Sequence, residues 1–258
     1  MEELVPKFAV FLLVLVRVTT FFVVCPIFSY RTIPAMHKIG FSVFLAWIMY
    51  YTIDAPVLEI DYVFFLLAIK EALVGIVLGF IAYMVMAAVQ MAGGFIDFQM
   101  GFAIANVIDP QTGAQGPLLG QYLYTTALLF LLATNGHHLL LDGIFYSYEA
   151  VPIDKVFKPF GSEPFMIHAA EVFNQTFLAA LQMSIPLVGS LFLVDVALGI
   201  VARTVPQLNI FVVGVPVKII VSFFILIAVF GALMMSVRNL FEYALVSMRG
   251  LMQILGGA

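Results

Sequence analysis

The sequence predicts an all-α, polytopic protein built from apolar helical hairpins, and three observations carry that expectation. Hydrophobic residues make up 64% of the chain and charged residues 10%, with a mean hydropathy of +1.13. A soluble domain carries about 25% charged residues, so this chain cannot cover a water-facing surface. Its exterior must meet lipid or other apolar subunits. Second, apolar runs near the ~20 residues needed to cross a hydrocarbon core recur along the chain. Third, proline, glycine and polar connectors punctuate those runs.

Six hydrophobic segments follow, at about 8–28, 39–53, 62–90, 117–141, 165–198 and 210–237. The first stands behind MEELVPKF, a poor signal-peptide start with no small-x-small site after the apolar run, and is expected to be a retained helix. Pro26 and Pro34 bracket the connector behind it. The second segment is marginal in length. The third and fifth exceed one straight crossing. Pro186 and Gly189 are expected to kink the fifth, with Ser184 and Ser190 placed to relieve freed backbone groups. Asn135-Gly136-His137-His138 reads as a helix interruption or end with polar caps. Pro152, Pro159, Gly161 and Pro164 mark the most soluble-looking connector. No repeat of useful length is visible, and residues 1–258 read as a single domain.

Charge excludes several classes. The net charge of −4 is spread thin, and no basic run suggests nucleic acid. The positive-inside rule asks for Lys and Arg in alternate loops. Arg31, Lys38 and Arg203 would share one side, but Lys155, Lys158, Arg238 and Arg249 would fall on the other. Simple alternation across a bilayer therefore fails. The single Cys25 rules out an intrachain disulfide and reads as a buried structural thiol.

Four charges fall inside apolar runs and are expected to be buried: Arg17, Lys70, Glu71 and Asp195. A charge centred in a bilayer costs about 2.5–3.5 kcal/mol, so such residues face protein or water. Lys70 and Glu71 are adjacent and are not expected to face each other on one helix. Arg17 has no partner in its own segment. His168 and Glu171 stand three apart, a spacing open to metal ligands. There is no HExxH, no GxSxG and no Cys–His arrangement with a base. The chain is not expected to be an enzyme or to carry a cofactor.

Two motifs are sharper. Residues 93–121 read GGFIDFQMGFAIANVIDPQTGAQGPLLGQ, rich in Gly, Gln and Asn, with Asp97 and Asp109 but no Lys or Arg. In an apolar protein, irregular backbone is tolerable only inside protein or beside a water-filled cavity. This island is expected to be a long loop at a passage that it closes. The second motif is RTVPQLNIFVVGVPVKI, residues 203–219. Pro206 and Gln207 make a turn, Asn209 can cap the next helix, and Lys218 places a cation in its apolar start. The result is a tight hairpin with a polar tip.

In this order and spacing, with VRVTTFFVVCPIFSYRTIPAMHKIGF at residues 16–41, these motifs resemble the FliR family of the flagellar type III export apparatus. Injectisome relatives of the SctT type share the architecture, and the likeness covers nearly the whole chain. It implies a non-enzymatic core subunit of the protein export gate at the bacterial inner membrane, in the flagellar basal body. It implies FliP-like and FliQ-like partners, an FlhB-like partner, and unfolded flagellar substrates in transit. It implies a FliP-like part at about 1–160 and a FliQ-like hairpin at about 165–258. It implies that Asn106, Asp109, Pro110, Gln111, Thr112, Gly113 and Gln115 belong to a plug loop in the channel. It implies that Arg203, Pro206, Gln207, Asn209 and Lys218 face the cytoplasmic entrance and a partner. The main alternative is a secondary transporter or small-molecule channel. Transporters show paired broken helices in two halves, whereas residues 93–121 and 203–218 do not resemble each other.

Overall fold

The computed structural model describes residues 4–30, 33–53, 58, 60–102, 117–155, 161–205, 207 and 209–256. Seven α-helices and no strand occur among the described residues: α1 (Leu4–Val24), α2 (Ala35–Tyr50), α3 (Tyr62–Met100), α4 (Leu118–Ala133), α5 (Gly136–Ala150), α6 (Glu163–Thr204) and α7 (Ile210–Gly256). The fold is all-α and polytopic. Three helices, α3, α6 and α7, are long and apolar enough to cross a membrane, and α4 with α5 forms a broken fourth candidate.

The chain divides into two compact units. Unit 1 comprises Met1–Val85, Leu132–Phe173 and Phe241–Ala258; unit 2 comprises Met86–Leu131 and Asn174–Leu240. In unit 1, α1 packs on α2, with the Phe11 ring edge-on to Trp47 and Tyr50. Phe22, Phe28 and Phe41 close the turn between these helices. Cys25 is fully buried there, and burial pushes its thiol pKa up, which keeps it protonated and inert. Ile27 in the same turn sits at φ 74, a strained conformation for a β-branched residue.

The seam between α1 and α3 is set by small residues. Gly75 and Gly79 lie one turn apart on α3, and a methyl group on either would run into the α1 backbone. At Gly75 the obstacles are the Arg17 carbonyl oxygen and the Thr20 hydroxyl; at Gly79 they are the Phe21 carbonyl and the Cys25 amide. This is the GxxxG device, which lets helices approach at backbone distance.

Helices α3 and α7 run furthest past their expected ends. Helix α3 does not stop at Gln90 but continues through Gly93-Gly94 to Met100, so the first part of the island is helix rather than loop. A Cβ at Gly93 would strike the Gly120 backbone of α4. Close α3–α4 packing thus outweighs the ~1 kcal/mol by which glycine disfavours a helix. Helix α7 passes Val237 and runs 47 residues to Gly256. Its last turns bury Phe241, Ala244, Met248, Leu251, Met252 and Leu255, a 3.6-residue stripe within unit 1. Arg238 and Arg249 therefore lie on a helix and not in a terminal connector. Lys38 likewise lies within α2.

Helix α6 carries Pro186 without ending there. The Ser190 hydroxyl donates to the Pro186 carbonyl at 2.7 Å, and that of Ser184 to the Leu181 carbonyl at 2.9 Å. Neither reaches the Gln182 carbonyl that Pro186 leaves unpaired. The interruption expected near residue 135 falls at Thr134-Asn135, with Asn135 in the left-handed region at φ 58. Asn135 caps α5 with no side-chain bond, so its role is the turn and not the polar cap.

Candidate functional site

Unit 1 contains a buried charge cluster. Arg17, Lys70 and Glu71 are each 0–1% exposed. The Arg17 guanidinium grips Glu71 with two bonds, Nε to Oε2 at 2.5 Å and Nη2 to Oε1 at 2.9 Å. Its remaining donors go to the end of α5: Nη1 to the Ser147 carbonyl and hydroxyl, and Nη2 to the Val151 carbonyl, all at 2.9 Å. All five guanidinium N–H groups thus have partners. The cation also lies 3.9 Å over the ring of Tyr148, whose hydroxyl donates to the Val14 carbonyl.

Lys70 extends the same arrangement. Its ammonium donates to the carbonyls of Pro152 at 2.6 Å, Ile153 at 3.1 Å and Lys155 at 3.2 Å. It also lies 2.7 Å from Glu71 Oε1. Adjacent Lys70 and Glu71 therefore do meet, contrary to the expectation from helix geometry. The reason is reach: the flexible four-carbon lysine stem brings its tip back to the carboxylate beyond the helix surface. Two cations and one anion converge on the carboxyl-terminal end of α5, where unpaired carbonyls and the helix dipole favour positive charge. Elements separated by as many as 134 residues are tied together here.

Unit 2 contains a second polar arrangement. Asp195 of α6 pairs with Lys218 of α7, and Gln99 of α3 donates to Asp195 Oδ2 at 2.9 Å. The connector at 205–209 is short, and the pair lies about two turns from it on each side, so α6 and α7 form an antiparallel hairpin in this unit. Asp195 is not buried as expected: its side chain is 37% exposed. It stands on an outer face beside exposed Phe192, Val196 and Ile200. Of the hairpin tip, Arg203, Gln207 and Asn209 are exposed, with Gln207 in a turn. The carbonyl of Asn209 accepts the amides of Val212 and Val213 and so opens α7. Pro206 lies outside the described residues.

The expected plug residues Asn106, Asp109, Pro110, Gln111, Thr112, Gly113 and Gln115 also lie outside the described residues. The two ends of that segment are described, and Asp97 links them. Its carboxylate accepts the amides of Leu119 at 2.9 and 3.2 Å and of Gly120 at 3.4 Å, at the first turn of α4. A carboxylate at a helix N-terminus satisfies orphan amides and complements the dipole.

His168 takes no part in a metal site among the described residues. Its Nε2 lies 2.9 Å from the Ser247 carbonyl, which only accepts, so this nitrogen carries the proton. Gly250 leaves room for the ring.

Sequence reasoning singled out Arg17, Lys70 and Glu71 but missed Ser147, Tyr148, Gln99, the capping role of Asp97 and the glycine seams. The GxxxG spacing of Gly75 and Gly79 was the available signal for the α1–α3 seam. Gln99 and Ser147 carry no pattern of their own.

Comparison with known proteins gives one consistent answer. Residues 8–244 match the family described as bacterial export proteins, family 1. The chain is 58% identical over 257 residues to the flagellar biosynthetic protein FliR of Bacillus subtilis (strain 168), covering 99% of each. It is 31% identical over 229 residues to the FliR protein of Escherichia coli (strain K12), covering 88% of this chain and 87% of that one. It is 29% identical over 218 residues to Yop proteins translocation protein T of Yersinia pestis, covering 83% of each.

Proposed function

The chain belongs to the bacterial export proteins, family 1, within the FliR family and its injectisome relatives, and from this premise we propose that it is a core subunit of the flagellar protein export gate. Its place as a membrane component of flagellar type III export follows from the family. The finer reading is a protein-conducting channel built with FliP-like and FliQ-like subunits in the inner-membrane part of the basal body. Residues 1–160 supply a FliP-like part and residues 165–258 a FliQ-like hairpin. Unfolded flagellar substrates pass through. The segment around Asn106–Gln115 closes the channel at rest, and the tip at Arg203, Pro206, Gln207 and Asn209 meets an FlhB-like partner at the cytoplasmic entrance.

One observation carries this reading. In α6 and α7 the most apolar stretch is only 11% and 17% buried, against 56% in α3. At 42 and 47 residues these helices are about 60–70 Å long, roughly twice the ~30 Å hydrocarbon thickness. Lipid cannot cover such lengths, so much of the apolar surface requires other subunits. Purification from mild detergent and native mass measurement test this. The expected result is a hetero-oligomer with other apolar helical proteins; a stable lone chain or a symmetric homodimer counts against it.

Closure has its own test. Deleting residues 111–115 is expected to leave assembly largely intact and to raise ion leakage across the inner membrane. A deletion that blocks assembly, together with free ion conduction by the wild-type complex, would make the segment structural. A Gly- and Gln-rich segment suits closure because its backbone can exchange internal hydrogen bonds for water as the channel wets.

A further inference from the structure

We infer that a cavity beside the amino-terminal end of α2 binds one chain of an anionic phospholipid, with the lipid phosphate held at Lys38. The site lies within unit 1 and does not depend on the gate reading above. The cavity has a volume of about 220 Å³ and is lined by Phe22, Phe28, Ile33, His37, Lys38 and Phe41. Its wall is aromatic. The Phe22 ring centroid lies 4.5 Å from that of Phe28 and 5.2 Å from that of Phe41, and Phe28 stacks on Phe41 at 5.8 Å. Ile27, at φ 74, makes the turn that lays Phe28 against α2.

Size and charge select the ligand. Sites for whole small molecules measure about 300–1,000 Å³, so this cavity takes part of a molecule whose remainder lies outside. His37 and Lys38 are the polar side chains that line it, and no carboxylate is among the described lining residues. Neither side chain is bonded within the described residues. The lysine ammonium is a compact point charge suited to phosphate. An apolar chain with a negative head therefore matches both the wall and its rim.

The remainder of such a molecule has a track. Lys38, Phe41, Phe44 and Ile48 recur at three- and four-residue spacing and share one face of α2. Phe41, Phe44 and Ile48 are exposed. A head at Lys38 places one chain in the cavity and the second along this stripe. A free fatty acid has a single chain and would leave the stripe bare.

The test uses the complete export assembly in phosphatidylcholine nanodiscs. Tracer phosphatidylglycerol, phosphatidylcholine or oleic acid carries a diazirine at the same place on the chain, and labelled residues are mapped by mass spectrometry. Phosphatidylglycerol should label Phe28, Ile33 and Phe41 about fivefold more than phosphatidylcholine does, the worth of one lysine near an anionic head. It should also exceed oleic acid. Lys38→Gln should bring phosphatidylglycerol down to the phosphatidylcholine level and leave phosphatidylcholine unchanged. Ile33→Trp fills the cavity and should remove label from Phe28 and Phe41 with every lipid; if this variant does not assemble, Lys38→Gln alone decides. Equal labelling by the two phospholipids overturns the proposal, as does phosphatidylglycerol labelling that survives either variant. Absence of label in the wild-type assembly also overturns it and marks the cavity as covered by another subunit. Oleic acid labelling above phosphatidylglycerol overturns the phospholipid in favour of a free fatty acid.

Discussion

Replacing Glu71 with alanine is expected to destabilise unit 1 by about 3–5 kcal/mol, the usual cost of leaving a buried ion without its partner. The effect is large because Glu71 serves two cations. Arg17 loses two of its five hydrogen bonds, and Lys70 loses its ion pair with Glu71. Both would remain within an almost fully buried site. The measurement is the thermal midpoint of the purified assembly, followed by intrinsic fluorescence, with the yield of assembled complex beside it. Arg17→Leu should also destabilise. The double change Arg17→Leu with Glu71→Leu should cost less than the sum of the single ones, because it removes both members of the pair and leaves only Lys70 without its Glu71 contact. Additive costs would show that the pair does not act as a unit.

A second large effect is expected at Gly75. Alanine there would press its methyl group against the Arg17 carbonyl oxygen, and backbone cannot turn aside as a side chain can. Overpacking of this kind costs about 1–3 kcal/mol, and forcing α1 away from α3 also stretches the Arg17–Glu71 contact one turn along the same face. Gly199 provides the contrast. Nothing lies within 4 Å of a Cβ built there, and it stands inside α6. Gly199→Ala should be neutral or stabilising by up to ~1 kcal/mol, from helix propensity. Equal thermal midpoints for Gly75→Ala and Gly199→Ala would refute the close seam.

Helix class and number of apolar segments were legible because composition and run length report them directly. Helix ends were less so. Gly93-Gly94 reads as a breaker by local propensity, and only the backbone of Gly120 across the seam reverses that reading. The end of α7 was hidden by Arg238, Glu242 and Arg249, which interrupt an apolar run without interrupting an amphipathic stripe. Among the charges, Arg17 was recognisable as costly, but its partner lies 54 residues away and carries no local mark. The contact between Lys70 and Glu71 depends on side-chain reach beyond the helix surface, which spacing rules do not describe. Asp195 reads from sequence like Arg17, yet it lies on an outer face of α6, paired with Lys218 and Gln99.

The cluster at Arg17 also imposes an order on biogenesis. Its acceptors at Ser147 and Val151 lie 130 and 134 residues downstream, and the carbonyls that hold Lys70 lie 82 to 85 residues beyond it. At about 5–20 residues per second, the end of α5 leaves the ribosome on the order of ten seconds after Arg17. During that interval Arg17 can meet Glu71, 54 residues downstream, but not the acceptors that complete its set of bonds. The amino-terminal helix therefore gains its last buried bonds only when the carboxyl-terminal turn of α5 arrives to close around it.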